Sequence, residues 1–285
     1  MSAAQAVKKR AGRQRVERRA PRDALLALIS HTVRMQLRGV LIWGGILGLY
    51  SAAIVATYPT FGDMQGFDQF VQAYPKGLRE AFNITDMSTI EGFLDTEIFS
   101  FMAPLALAFF PILAASSAIA GAEERGTIDV LLGNPIQRWQ LVAGSFVATA
   151  VSLLGILAVA GLFAWITAAL VDVDLSVENA VNGYLNLWPI CLFFGGLALL
   201  CSAIFHRRSL AIAVPGVVLL GMYLMDVLGK VSEDLEDLRP YSLFYYYGSA
   251  IRDGIDWVNF GGITLVTLAL IVLAMIAFRR RDIYT

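Results

Sequence analysis

Six stretches of the chain contain no Asp, Glu, Lys or Arg: residues 39–62, 98–122, 139–171, 179–206, 209–225 and 257–278. They run to 24, 25, 33, 28, 17 and 22 residues. A helix that crosses a bilayer needs about 20 apolar residues, within a range of ~17–25. Hydrocarbon offers backbone amides no partner, so a spanning segment of this kind must be helical. The bulk composition agrees, with 57% hydrophobic residues against 16% charged. A soluble domain of 285 residues could not hide so much apolar surface. Two cysteines exclude both a disulfide scaffold and a multi-cysteine metal site.

The pattern predicts an all-α integral membrane protein with six transmembrane helices, at about 40–58, 101–120, 141–171, 188–205, 210–228 and 260–278. Basic residues set the expected orientation. Residues 1–38, 123–138, 206–209 and 279–285 carry 17 Lys and Arg, and the segments on the opposite side carry 5. Both termini are therefore expected in the cytoplasm, N-in and C-in.

Residues 1–22 read as a basic disordered leader (Lys8, Lys9, Arg10, Arg13, Arg15, Arg18, Arg19, Arg22). The leader has no apolar core, so no cleavable signal peptide is expected in it. No nucleic-acid-binding module accompanies its charge, so no nucleic-acid partner is expected. Residues 23–38 form an amphipathic pattern. Leu25, Leu26, Leu28, Ile29, Val33 and Leu37 fall on one arc, with Asp23, Ser30, His31, Arg34 and Arg38 on the other. This predicts an interface helix in the plane of the membrane, its arginines towards headgroups or a cytoplasmic partner. Gln36 is the polar exception on the apolar arc.

Further expectations follow along the chain. Gly44 and Gly48 make a GxxxG spacing suited to close helix approach. The segment 59–97 should hold short helices on the outer surface. Pro104 and Pro111 should kink the second span. His206-Arg207-Arg208-Ser209 can only close an antiparallel hairpin, with His206 snorkelling at the interface. Asp226 reads as a solvated residue at the end of the fifth span. Tyr241, Phe244, Tyr245, Tyr246 and Tyr247 suit an interfacial belt.

The loop over 121–139 is the most informative stretch. Thr127 is placed to cap a short helix over 128–132, which Gly133 would close. Asn134 is placed to cap the next helix, with Pro135 in its first position and Gln137 third. The product is a rigid peg offering Ile128, Val130, Leu131 and Leu132 to something other than lipid.

This loop (Glu123-Glu124-Arg125-Gly126-Thr127-Ile128-Asp129-Val130-Leu131-Leu132, then Pro135-Ile136-Gln137-Arg138-Trp139) resembles that of type-2 ABC transporter permeases. The amphipathic segment before the first span, Tyr74-Pro75-Lys76-Gly77-Leu78, and the closing Phe278-Arg279-Arg280-Arg281-Asp282-Ile283 are similar to the same family. The resemblance implies one six-helix permease domain over 23–285 in the cytoplasmic membrane of a prokaryote. It implies a short cytoplasmic coupling helix in the loop, seated in a groove of a separate ABC ATPase present in two copies. ATP and Mg would belong to that subunit, and this chain would hold no cofactor. A second permease copy or a paralogue would complete the pathway. The coupling role carries onto Glu123, Glu124, Gly126, Thr127, Asp129, Leu131, Leu132 and Pro135. Arg34 and Arg38 would lie on the interface helix.

No G-x-x-x-x-G-K-[ST] motif occurs, so this chain is not expected to hydrolyse ATP itself. His31 and His206 make no metal triad, and no catalytic residues converge by spacing. An ion-coupled carrier would place charges near mid-membrane, and the six windows have none. A non-transporting membrane subunit is the remaining alternative. Uncharged spans favour an apolar or amphipathic cargo such as a drug, antibiotic or lipid. Trp43, Phe109, Phe110, Phe163, Trp165 and Tyr223 are the candidates to touch it.

Overall fold

A computed structural model describes residues 21–62, 77, 79, 84, 87–127 and 137–281. All regular structure among the described residues is helical. In chain order the α-helices are α1 (Pro21–Gly62), α2 (Ile90–Leu94), α3 (Met102–Ala118), α4 (Ala120–Glu124) and α5 (Arg138–Leu170). Then come α6 (Val177–Ile204), α7 (Arg208–Val231), α8 (Leu243–Tyr247), α9 (Ala250–Asp253) and α10 (Trp257–Arg280). A π-helical turn covers Asp95–Phe99, and a 3-10 segment covers Glu233–Tyr241. Among the described residues five helices are long and apolar enough to cross a membrane. The pair Ile90–Phe99 and Met102–Ala118, bent by 45°, makes a sixth if it is one span.

α1 absorbs both the amphipathic segment and the first span in one helix of 42 residues, with no break at Gly39. Its first turns are covered by the start of α5. A methyl group placed on Gly144 would lie 2.7 Å from Leu28 Cδ2 and 3.4 Å from Leu25 Cδ1. Gln36, the odd polar residue on this face, donates to Thr149 Oγ1 at 3.2 Å. The apolar arc over 23–38 is thus divided: Leu25 and Leu28 face α5, while Leu26 and Leu37 stay exposed. Further along, Gly44 and Gly48 bring α1 against Val159 and Phe163 of α5, with added methyls at 3.2 and 3.0 Å. The GxxxG spacing therefore serves a helix contact within the chain.

α6 is the central helix. In its most apolar stretch 78% of residues are buried, against 22–44% for the other four long helices. It packs on α3, α10, α5 and α7. Phe194, Leu187, Ile190 and Leu199 are fully enclosed there.

The segment before α3 departs from the expected surface helices. Ile90, Phe93, Leu94, Ile98 and Phe99 are buried, so the short helices here plug one end of the bundle. The bend falls at Ser100 and Phe101, between the π turn and α3. Pro104 accounts for it: it has no N–H for the carbonyl of Ser100, four residues back, and its ring crowds that carbonyl, so the helix breaks there, whereas Pro111 stays inside α3.

Asp226 corrects another expectation. Its side chain is only 5% exposed, and its carboxylate takes Lys230 Nζ at 2.8 Å and Arg239 Nε at 3.3 Å. It is a buried carboxylate engaged by two cations. The 3-10 segment folds back over the end of α7 and delivers Arg239, which the sequence assigned to an outer loop.

Candidate functional site: a polar knot where three helix ends meet

The ends of α4, α6 and α10 converge with the starts of α5 and α7. α4 stops in a Schellman arrangement. Gly126 N donates to Glu123 O at 2.9 Å and Thr127 N to Ala122 O at 2.9 Å. Gly126 has φ +65°, a left-handed conformation that costs other L residues about 1–2 kcal/mol. Thr127 also donates its hydroxyl to Ala122 O at 3.1 Å, so its side chain closes the helix behind it.

The helix break between α3 and α4, at Ile119, is pinned by Ser202 of α6. Its hydroxyl accepts from Ala120 N at 2.9 Å and donates to Ser116 O at 3.3 Å. All three residues are buried. Nothing local in the sequence singles out Ser202; only the close packing of α6 on the break gives it this role.

Glu123 projects from α4 into the knot. Its carboxylate pairs with Arg281 Nη2 through Oε2, and Oε1 lies 3.0 Å from His206 Nδ1. Arg281 also donates through Nη1 to Ser202 O at 2.9 Å and Ala203 O at 3.1 Å. One guanidinium therefore satisfies the last carbonyls of α6 and a carboxylate together, using its fork of donors. Arg281 Nη2 and His206 Nδ1 are 2.6 Å apart. Nδ1 can accept from Arg281 or donate to Glu123, and one tautomer cannot do both. His206, expected to snorkel at the interface, stays more than half exposed while its Nδ1 joins this cluster.

Two more contacts close the knot. Glu124 Oε1 accepts from Arg208 N at 2.8 Å, at the first residue of α7. Arg138, first in α5, donates through Nη1 to Phe278 O at 3.2 Å and Arg281 O at 2.7 Å, and stacks 5.7 Å over the Phe278 ring. α5 itself opens later than expected. Gln137 has extended backbone (φ −76°, ψ 147°) and stands as the N-cap, its N–H donating to Gln140 Oε1 at 2.9 Å. It is not the third residue of a helix begun at Asn134.

The other sequence candidates are scattered. Asp129, Leu131, Leu132 and Pro135 lie outside the described residues, as do Ile128, Val130 and Asn134. Arg34 and Arg38 are exposed on α1. Trp43 meets Phe110 edge-on, with centroids 6.5 Å apart. Phe109 lies near Gly216 of α7, and Phe163 covers Gly48. Trp165 lines an apolar groove of about 460 Å³ between α5 and α6. Tyr223 lies at the far end, 5.6 Å from the Phe101 ring and 5.3 Å from that of Phe244. These six aromatics do not share one cavity.

The far end carries a polar cavity of about 280 Å³ lined by Tyr223, Asp226, Lys230, Arg239, Tyr247 and Arg252 among others. The buried Asp95 pairs there with Arg252 at 3.4 Å. Burial, with the nearby Asp95 charge, pushes the Tyr247 phenol well above its ordinary range. Among the described residues no cluster of three metal-ligating side chains occurs.

A family profile described as ABC-2 family transporter protein matches residues 26–283. No curated protein matches the chain. That match spans the long helices, the loop after α4 and the Arg281 end of α10, whose contacts build the knot. The protein is a multi-pass membrane subunit of the ABC transporter class, and it belongs to the ABC-2 transporter permease family.

Proposed function

We propose that the chain is the permease subunit of an ATP-driven exporter that moves an apolar or amphipathic cargo, such as a drug, antibiotic or lipid. Family membership implies association with an ABC ATPase. In this reading the ATPase is a separate chain in two copies that holds ATP and Mg, and two permeases meet around the pathway. The knot faces the cytoplasm, as the 17 to 5 distribution of Lys and Arg favours. The home membrane is the cytoplasmic membrane of a prokaryote.

One observation carries the mechanism: Glu123, immediately before the loop, is tied to Arg281 and His206 at the ends of α10 and α6. A push on the loop is therefore a push on the central helix. In the proposed cycle the segment over 128–132 seats Leu131 and Leu132 in the ATPase, with Asp129 and Pro135 shaping its two ends. Glu124, Gly126 and Thr127 hold its root. Arg34 and Arg38 on α1 supply a second contact. Closure of the ATPase pair then shifts the permease between inward-open and outward-open states by differential contacts. An ion-coupled carrier is disfavoured because the buried carboxylates Asp95 and Asp226 sit at one end of the bundle, each already held by a cation.

The test is co-purification of the ATPase with Leu131→Asp/Leu132→Asp permease. Loss of the complex with normal membrane insertion is expected; undiminished association would refute the coupling assignment.

A further inference from the structure

Beside the knot, a groove of about 970 Å³ opens between the start of α5 and the end of α10. Arg138, Trp139 and Arg279 border it, with Val272, Met275 and Ile276 along its apolar side. Val272 and Ile276 are about half exposed, as is Trp139. They extend an exposed apolar stripe on α10 that includes Leu265 and Leu268. Residues 268, 272, 276 and 279 are spaced to share one helix face. From Leu268 to Arg279 that face covers about 16 Å, close to one leaflet of a hydrocarbon core ~30 Å thick.

The geometry points to a binding site for an anionic phospholipid. An acyl chain would lie along Leu268, Val272 and Ile276, Trp139 would sit at the level of the glycerol, and Arg279 and Arg138 would face the phosphate. The occupant follows from the combination. The stripe lies on the exposed face of a helix long and apolar enough to span the membrane, which favours a chain already in the bilayer. The two guanidiniums at its end select negative charge. A zwitterionic lipid would satisfy the apolar part alone. The assignment is independent of the ATPase and of which way the protein faces.

The experiment uses full-length protein in nanodiscs of phosphatidylcholine doped with lipids brominated near the glycerol. The Trp139 signal is isolated by subtracting Trp139→Phe. Brominated phosphatidylglycerol should quench Trp139 at a mole fraction about fivefold lower than brominated phosphatidylcholine. Arg279→Gln should abolish that preference. Arg280→Gln, which removes the same charge next to the groove, should keep it. Both side chains are exposed, so neither change asks anything of the core. Equal quenching by the two lipids would overturn the proposal, and so would equal loss in both variants, which would mean diffuse surface attraction. Displacement of the lipid by millimolar glycerol phosphate would also overturn it, by assigning the site to a free anion.

Discussion

Glu123 and Arg281 are 158 residues apart in the chain, and they form an ion pair in which both side chains are largely withdrawn from solvent. The pair joins the end of α4, where the loop after it begins, to the C-terminal end of the last long helix. Arg281 at the same time holds the carbonyls of Ser202 and Ala203, so the contact engages three helices at once.

Removing the guanidinium strands a carboxylate and two helix-end carbonyls. Arg281→Ala should cost about 3 kcal/mol, as for an enclosed pair broken from one side. Arg281→Lys should recover only part of this, because an ammonium lacks the planar fork. Glu123→Gln should be milder than Arg281→Ala, since an acceptor oxygen remains. Thermal unfolding of the detergent-purified variants ranks the three.

Asp226 offers a second test at the opposite end. Asp226→Asn leaves Lys230 and Arg239 without their shared counter-charge and should cost about 3 kcal/mol. Lys230→Met should cost less, because Arg239 still engages the carboxylate. If Asp226 were a solvated end residue, both changes would stay within about 0.5 kcal/mol. Melting temperatures at constant detergent decide between these.

At Gly48 the question is space. A methyl group there would lie 3.0 Å from Phe163 Cγ, so Gly48→Val should wedge α1 from α5 and cost about 1–3 kcal/mol. Adding Phe163→Ala should restore part of the loss by vacating the volume. A double-mutant cycle that showed simple additivity would disprove the contact.

At Gly126 nothing crowds the site, and only the backbone objects. Gly126→Ala should cost about 1 kcal/mol, and Gly126→Asn less, since Asn tolerates the left-handed region. Gly126→Val should be worst. In the assembled transporter the same order is expected for loss of cargo-stimulated ATPase activity.

The charge-free stretches determine by themselves that the chain forms membrane-crossing rods, and their flanking charges fall near most rod ends; α1 is the exception, beginning at Pro21 rather than near Gly39. That much is local: apolar length and helix-end chemistry can be read without knowing any neighbour. Family membership was equally legible, because the loop beginning at Glu123 and the closing run from Phe278 to Ile283 are contiguous patterns. Which rod is central was not legible. α5 and α6 have mean hydropathies of 2.4 and 2.1 over their most apolar windows, yet α6 is the buried one. Lipid and protein interior are almost equally apolar, so composition cannot tell a lipid-facing leucine from a packed one. The polar contacts were hidden for a related reason. Glu123 with Arg281, Ser202 with the break before Ala120, and Asp226 with Arg239 each join residues whose proximity depends on helix packing or on a returning segment. Only the tertiary structure could decide those partners, because a buried charge or hydroxyl takes whatever complementary group the packing brings within reach.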